Sequence, residues 1–323
     1  MTERPAAVIT GIAGQDGSYL AELLVERGYR VVGIPRPGST ERDRIAHLLD
    51  RIEIVEADLL DDDSLEHLLS DVRPRELYNL AGHSFVPSSW QQPGFIGEVT
   101  GLGAVRLVEA IRRVDTSIRF YQASSSEIFG NAREGPQTER TPLNPRNPYG
   151  AAKAFAHFTA INARDHLGLF SVSGILFNHE SPRRGMEFVS RKITDGAARI
   201  SLGLAETLTM GSLDAERDWG FAGDYVVAMW LMLQHTEPAD FVVASGIPHS
   251  VRDICRIAFA RVGLDYERHI TVDPSLVRPP ERIRLLGDPS RAKSELGWTP
   301  SVSFEQLIEM MVDADVARHR VNA

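Results

Sequence analysis

Residues 6–28, AAVITGIAGQDGSYLAELLVERG, constrain the fold more than any other stretch of the chain. The run AAVITG reads as a strand. SYLAELLVERG follows as a helix, with Leu20, Leu23 and Leu24 on one face and Gly28 as a stop signal. Between them Gly11, Gly14 and Gly17 form a GxxGxxG pattern, one residue wider than the usual dinucleotide fingerprint. Glycine at these positions permits a tight turn, close approach of a pyrophosphate and close helix packing, while the first-turn N–H groups face the phosphates.

Strands and helices keep alternating after this unit. YRVVGIP, IEIVEADL, RELYNLAG, IRFYQASS and LFSVSGILF are further apolar runs, with helical stretches between most of them, notably 101–113 and 149–165. The predicted fold is therefore α/β: a doubly wound Rossmann-type parallel sheet, covered on both faces, with ligands at the carboxyl ends of its strands. After Phe177 the helices and loops lengthen, and HSVRDICRIAFARVG opens with a Ser250/Asp253 capping pattern. The expected division is a dinucleotide-binding domain over 1–177 and a smaller mixed α/β substrate-binding lobe over 178–323, with segments near 211–235 returning to the first. The stretch 130–148 is the most loop-like.

Composition narrows the class of partner. Hydrophobic residues make up 43% of the 323 positions and charged residues 24%, with both signs scattered, as in a soluble globular protein. The formal charge of −9 argues against a general nucleic-acid binder, although local basic residues can still hold one small anionic ligand. The single cysteine, Cys255, excludes an intrachain disulfide, and its neighbours Ile254, Ile257 and Ala258 mark it as a core thiol on a packed helix face. His179 has no second histidine at ligand spacing, so no metal is expected. Neither a signal-peptide span nor an apolar run of bilayer length is visible, so the expectation is a cytoplasmic protein without a membrane partner.

Residues at the strand ends indicate the chemistry. An acidic residue after the second strand would bind a ribose 2′-hydroxyl; GIPRPGS has Arg36 there, and a guanidinium suits the 2′-phosphate of NADP, or else is a surface arginine. Asp58 is a candidate for the adenine amino group or, equally, a helix cap. Gln15, Asp16, Leu59, Leu80 and Ala81 complete the residues expected to border the cofactor. In PYGAAK, Tyr149 and Lys153 stack one turn apart on a helix, where the ammonium is expected to lower the phenol's pKa and give an acid/base usable near neutrality. Ser125, in YQASSSEIFG, can hydrogen-bond the substrate oxygen that Tyr149 deprotonates. Glu127 beside it is more than a simple oxidoreductase needs: a second acid/base suits proton removal next to a new ketone and loss of a hydroxyl. A carboxylate capping the turn or pairing with an arginine is the other reading.

Glycine turn, YxxxK and serine-rich strand end together resemble the extended short-chain dehydrogenase/reductases. Over nearly the whole chain the sequence resembles the GDP-mannose 4,6-dehydratases, through GIAGQDGSYLAE, YNLAGHSFV, YQASSSEIFG, NPYGAAK, GILFNHESPRRG, FVSRKIT, LDAERDWGFAGDYVVAMW, VRPPE and LLGDPSRAKSELGW. The resemblance implies a GDP-sugar substrate and a tightly bound NADP regenerated in each turnover. Tyr149 with Lys153 would take the C4 hydroxyl proton, and Glu127 would move the C5 proton to the departing C6 hydroxyl. It further implies diphosphate and nucleotide contacts from Asn178, Lys192, Arg217 and Arg278, a ribose contact from Glu281, hexose contacts from Ser84 and Glu180, and a homodimer or tetramer. The chain departs from the family pattern at Ser125, where threonine is usual, and at Pro37, beside Arg36 in a loop one residue shorter. It also departs at His83 and Phe85, usually glutamine and histidine.

Overall fold

The computed structural model describes residues 4–39, 42–276 and 284–321. Its strands are β1 (Ala6–Thr10), β2 (Arg30–Ile34), β3 (Glu53–Ile54), β4 (Glu76–Asn79), β5 (Arg119–Ala123), β6 (Ser171–Leu176), β7 (Asn178–Glu180), β8 (Leu208–Met210), β9 (Glu216–Phe221), β10 (Phe241–Val243), β11 (Pro248–Ser250) and β12 (Ile270–Val272). The helices are α1 (Gln15–Glu26), α2 (Asp62–Val72), α3 (Val86–Ser89), α4 (Pro93–Ile96), α5 (Gly103–Val114), α6 (Pro148–Leu167), α7 (Val189–Ser201), α8 (Ala222–Gln234), α9 (Val251–Arg261), α10 (Ser290–Leu296) and α11 (Phe304–Val321).

Seven strands form one parallel sheet in the order β10-β6-β5-β4-β1-β2-β3. Side-chain alternation splits its residues between two cores. On one face Ala7, Ile9, Tyr78 and Tyr121 pack with Leu20 and Leu24 of α1 and with Val226 and Met229 of α8. On the other, Ala6, Val8, Leu77 and Phe120 pack with Leu65 and Leu69 of α2, Leu107 and Ile111 of α5, and Ala160 of α6. Strands buried on both faces carry no polar alternation, which is why they read as continuous apolar runs.

Beyond β6 the chain builds smaller sheets, β11-β9-β7 and β12-β8. A third core joins α7, α9 and α11 through Ile193, Ile254, Phe259, Ile308 and Val312. Cys255 lies within it, and burial pushes its thiol up to about 12. Between these elements α8 packs against α1 and β10 pairs with β6 in the large sheet. The Ser250/Asp253 pattern forms a reciprocal capping box at the start of α9.

Two elements differ from the sequence expectation. The third strand, expected over IEIVEADL, is only Glu53–Ile54, because it pairs on one side alone, with β2, at the sheet edge. The helix expected over 101–113 begins at Gly103, after a wide π turn at Gly97–Leu102. That turn lies against α6, where Gly101 leaves room for the Phe155 ring: a β-carbon would come within 3.3 Å of it.

Candidate active site

The strand order reverses direction at β1, between β2 and β4, the position at which doubly wound sheets place a ligand crevice. Gly11 has φ +71°, and a β-carbon on it would lie 3.0 Å from both Cα and N of Ala81. At Gly17 a β-carbon would lie 2.4 Å from the Gly11 carbonyl oxygen and 2.6 Å from the Ile12 Cα. Gly14 is the N-cap of α1 and carries no side chain to occupy the first-turn N–H groups. This is a backbone cradle open to an anion, and the residues present fit a dinucleotide pyrophosphate.

Below the cradle, buried polar side chains link three adjacent strands. Thr10 Oγ1 donates to Asn79 Oδ1 at 2.8 Å, and Asn79 Nδ2 donates to Gln122 Oε1 at 2.8 Å. Gln122 Nε2 donates to the Ala123 carbonyl at 2.9 Å, and Thr10 Oγ1 also accepts the N–H groups of Leu80 and Ala81, each at 3.1 Å. This ladder fixes the carboxyl ends of β1, β4 and β5 relative to one another. Sequence reasoning missed it, since single polar residues ending apolar strands do not reveal their partners.

The side chains of Gln15 and Asp16 are engaged within the protein. Gln15 Nε2 donates to the His179 carbonyl at 3.0 Å, and Ser181 Oγ donates to Gln15 Oε1 at 2.8 Å. Asp16 Oδ2 lies 2.8 Å from His179 Nε2. Burial pushes the Asp16 carboxyl up, but the charge and hydrogen bond of His179 outweigh it and leave the carboxyl below its ordinary value. Burial likewise opposes charge on His179, yet Asp16 holds its pKa above the ordinary value. His179 also stacks on Tyr225, with ring centroids 4.7 Å apart, and donates through its other nitrogen to the Phe177 carbonyl at 2.7 Å. These two side chains therefore fasten the cradle to His179 on β7 and to Ser181 beyond it.

At the ends of β2 and β3 a cleft of about 220 Å³ is lined by Arg36, Ser39, Arg42, Asp58 and Ser64 among others. Arg42 Nη1 donates to the Ser39 carbonyl at 2.8 Å, which places a second guanidinium beside Arg36 that the sequence reading did not include. Asp58 lines this cleft, and its Oδ1 also accepts from the Leu60 N–H at 2.9 Å, so the turn and ligand readings coexist. Leu59 is buried beside Gly103, and Leu80 and Ala81 follow β4 at the crevice.

Four residues converge at the start of α6 and the end of β5. Ser125 follows β5 and caps a short 3₁₀ turn, Ser126–Ile128, that carries Glu127. Tyr149 lies in the first turn of α6, close enough to Ser125 for its hydroxyl to favour the phenolate. Lys153 is buried one turn further on, with Nζ donating to the Ala123 carbonyl at 2.7 Å and lying 5.8 Å from the Tyr149 ring centroid. The expected lowering of the phenol's pKa by the lysine is overturned. Burial pushes Tyr149 up to about 12, with the Ser125 hydroxyl opposing and the Glu127 charge adding. Burial pulls Lys153 down to about 8, Asp16 partly offsetting it. The ammonium is directed at a carbonyl rather than at the phenol, so desolvation decides both values.

Asn147 was also missed. It is the N-cap of α6, its Oδ1 accepting from Gly150 N at 2.7 Å, while its Nδ2 donates to Glu127 Oε2 at 2.7 Å. An asparagine before Pro-Tyr signals a helix start, but nothing local in sequence foretells its second partner.

The other expected contacts lie on neighbouring elements. Ser84 is exposed after β4, and Asn178 is half-buried on β7. Glu180 is buried, accepting from Ser190 Oγ at 2.6 Å and lying 3.0 Å from Arg184 Nε. Both partners lie on the same carboxylate oxygen, Oε2. Lys192 is exposed on α7, with Nζ donating to the Thr209 carbonyl at 2.7 Å, and Arg217 is half-buried on β9. Arg278 and Glu281 lie outside the described residues. No helix among the described residues is long and apolar enough to cross a membrane.

Known proteins share this architecture and sequence. The family model described as GDP-mannose 4,6 dehydratase matches residues 8–311. GDP-mannose 4,6 dehydratase 1 of Arabidopsis thaliana is 47% identical over 326 residues, covering 97% of this chain and 90% of that protein. GDP-mannose 4,6 dehydratase of Homo sapiens is 45% identical over 347 residues, covering 99% and 93%. Among solved structures, RMD from Pseudomonas aeruginosa complexed with NADPH aligns at a TM-score of 0.83 with 25% identity, over 97% of this chain and 99% of that one. With a family match over nearly its whole length and relatives at this level of identity, the chain belongs to the GDP-mannose 4,6-dehydratase family.

Proposed function

We propose that this enzyme converts GDP-mannose to GDP-4-keto-6-deoxymannose and water, with NADP held in the glycine cradle and the Arg36–Arg42 cleft. The observation that carries this reading is Glu127, a carboxylate within the 3₁₀ turn that Ser125 caps and close enough for its charge to raise the Tyr149 pKa. When bound, NADP supplies the hydride acceptor at C4 and afterwards the hydride donor at C6.

The chain's own residues then move protons. Ser125 orients the C4 oxygen, and Tyr149 takes the C4 hydroxyl proton as the carbonyl forms. Lys153, buried one turn further along α6 and held by the Ala123 carbonyl, lines the same wall of the site. The 4-ketone acidifies C5–H; Glu127 abstracts this proton and delivers it to the C6 oxygen, which departs as water. The proton that Tyr149 took from the C4 hydroxyl exchanges with solvent and balances the solvent-derived proton C5 receives as C6 is reduced.

The remaining substrate contacts proposed are Ser84, Asn178, Lys192, Arg217, Arg278 and Glu281, the cations serving the diphosphate. The division into a cofactor domain over 1–177 and a substrate lobe over 178–323 is part of the same proposal, as is a cytoplasmic location. A second copy of the chain is proposed to cover Leu102, Phe155 and Phe158, apolar residues exposed beside one another where the π turn packs on α6.

The test is Glu127→Gln incubated with GDP-mannose in heavy water. The parent should yield a 4-keto-6-deoxy product with deuterium at C5 and no net NADPH. The variant should oxidise C4 and stop. Dehydration retained in the variant would sink the assignment.

A further inference from the structure

The amide of Asn147 has two duties, and geometry fixes which atom performs which. Its carbonyl oxygen must face Gly150 N, because a backbone N–H at 2.7 Å can only donate. The NH₂ end is thereby turned to Glu127 Oε2 at 2.7 Å, where a carboxylate can only accept. Asn147 is buried and its backbone is extended, with φ −143° and ψ 161°, so the side chain is held between two partners. Oε1 of Glu127 carries no hydrogen bond among the described residues, which leaves one carboxylate oxygen anchored and the other open.

The main chain of Glu127 is fixed by the same turn. Its N–H donates to Ser125 Oγ at 3.3 Å, and its carbonyl oxygen stands 2.6 Å from where a β-carbon on Gly150 would be. Asn147 and Tyr149 are two residues apart at the N-terminus of α6. One helix start therefore sets both the phenol that serves C4 and, through the amide, the carboxylate that serves C5 and C6.

We infer that Asn147 is the positioning residue of the elimination half-reaction: it pins Glu127 Oε2 so that Oε1 carries the proton from C5 to the C6 oxygen. This rests on the dehydratase reading proposed above. It assigns Asn147 no part in C4 oxidation, which uses Ser125, Tyr149 and Lys153. Asn147 acts through Glu127 and does not itself touch the reacting atoms.

Two variants separate this role from helix capping. Asn147→Asp and Asn147→Ser both keep an acceptor for Gly150 N. The first replaces the donor facing Glu127 with another acceptor, and the second is too short to reach it. Melting temperature, KM for GDP-mannose, single-turnover NADPH absorbance and 6-deoxy product by NMR are measured for the parent and both variants. The expected result is melting within a few degrees of the parent, unchanged KM, and C4 oxidation within about threefold. Formation of the 6-deoxy product should fall about 100-fold, the scale of a misplacement near 1 Å. A 4-keto-6-hydroxy species should then accumulate with NADPH.

If both variants dehydrate at the parental rate, Asn147 is only a cap and the proposal is overturned. It is overturned also if oxidation and dehydration fall together with the melting temperature. A parent that makes no 6-deoxy product overturns the dehydratase reading itself, which no result with the variants alone can do.

Discussion

Replacing Gly17 with alanine tests the cradle most directly, because two opposing effects can be weighed from the structure. Gly17 lies in the first turn of α1, where alanine would favour the helix by at most about 1 kcal/mol. Against this, the new β-carbon would stand 2.4 Å from the Gly11 carbonyl oxygen, 2.6 Å from the Ile12 Cα and 2.8 Å from the Ile12 carbonyl carbon. Ordinary contact starts at 3.4 Å, so the worst overlap is 3.4 − 2.4, about 1 Å. All three atoms are backbone, and none can rotate away. Overpacking of this kind costs about 1–3 kcal/mol, and here the upper end applies, leaving a net loss near 2 kcal/mol. Relief must come from moving α1 away from the Gly11–Ile12 turn, which spoils the surface that receives the pyrophosphate. The expected Gly17→Ala protein melts a few degrees lower, is purified without NADP, and loses about 100-fold in activity. Gly94→Ala is the control: a β-carbon there meets nothing within 4 Å, and this variant should melt at or above the parental temperature. Differential scanning calorimetry and the NADP content of denatured protein give both readings. If Gly17→Ala retains full NADP and melts no lower than the parent, the cradle argument is wrong.

The Asp16–His179 pair gives a pH signature. The raised His179 pKa contributes stability that is full below about 6.5 and is lost as pH rises through its folded value. The lowered Asp16 pKa contributes stability present above about 3.8 and lost as pH falls through its folded value. Urea unfolding between these limits should therefore show the pair's largest contribution, and His179→Phe should remove it at a cost of about 3–5 kcal/mol; an unchanged pH profile would refute the coupling. Arg36→Ala and Arg42→Ala should each weaken NADP binding by roughly 10–100-fold while leaving NAD binding unchanged in titration calorimetry, as expected for loss of one charge-assisted hydrogen bond. Phe155→Glu combined with Phe158→Glu should give a monomer in sedimentation velocity, whereas an unaltered sedimentation coefficient would place the oligomer contact elsewhere.

What could be read from the sequence was local. The β1–Gly–α1 unit needs only apolar runs and glycines at fixed spacing, and the Ser250/Asp253 box and the Tyr149–Lys153 pair each span a single helical turn. The candidate site also depends on partners far apart in the chain, and these were hidden. Asp16 and His179 are 163 residues apart, Thr10 and Asn79 69 apart, and Glu127 and Asn147 20 apart. Nothing in the immediate neighbours of either member distinguishes such a pair from two unrelated polar residues. The Tyr149 pKa was misjudged for a related reason, which governs Lys153 as well. Spacing shows that two groups are close, but burial, which decided both values, depends on everything packed around them.

The Thr10–Asn79–Gln122 ladder has a consequence for how the sheet is assembled. Thr10 pairs with Asn79 and Asn79 with Gln122 in the strand register itself, so the hydrogen bonds exist only when three strands are aligned as they are. A slip of one residue would send each polar side chain to the opposite face, among leucines and valines, with its partner lost. Each stranded group would cost about 1–3 kcal/mol, which is large against the small difference in hydrophobic burial between neighbouring registers. The uniformly apolar strands that make this sheet stable say little about their own alignment. A few polar atoms at their ends act as a key that rejects misthreaded chains before the crevice can form.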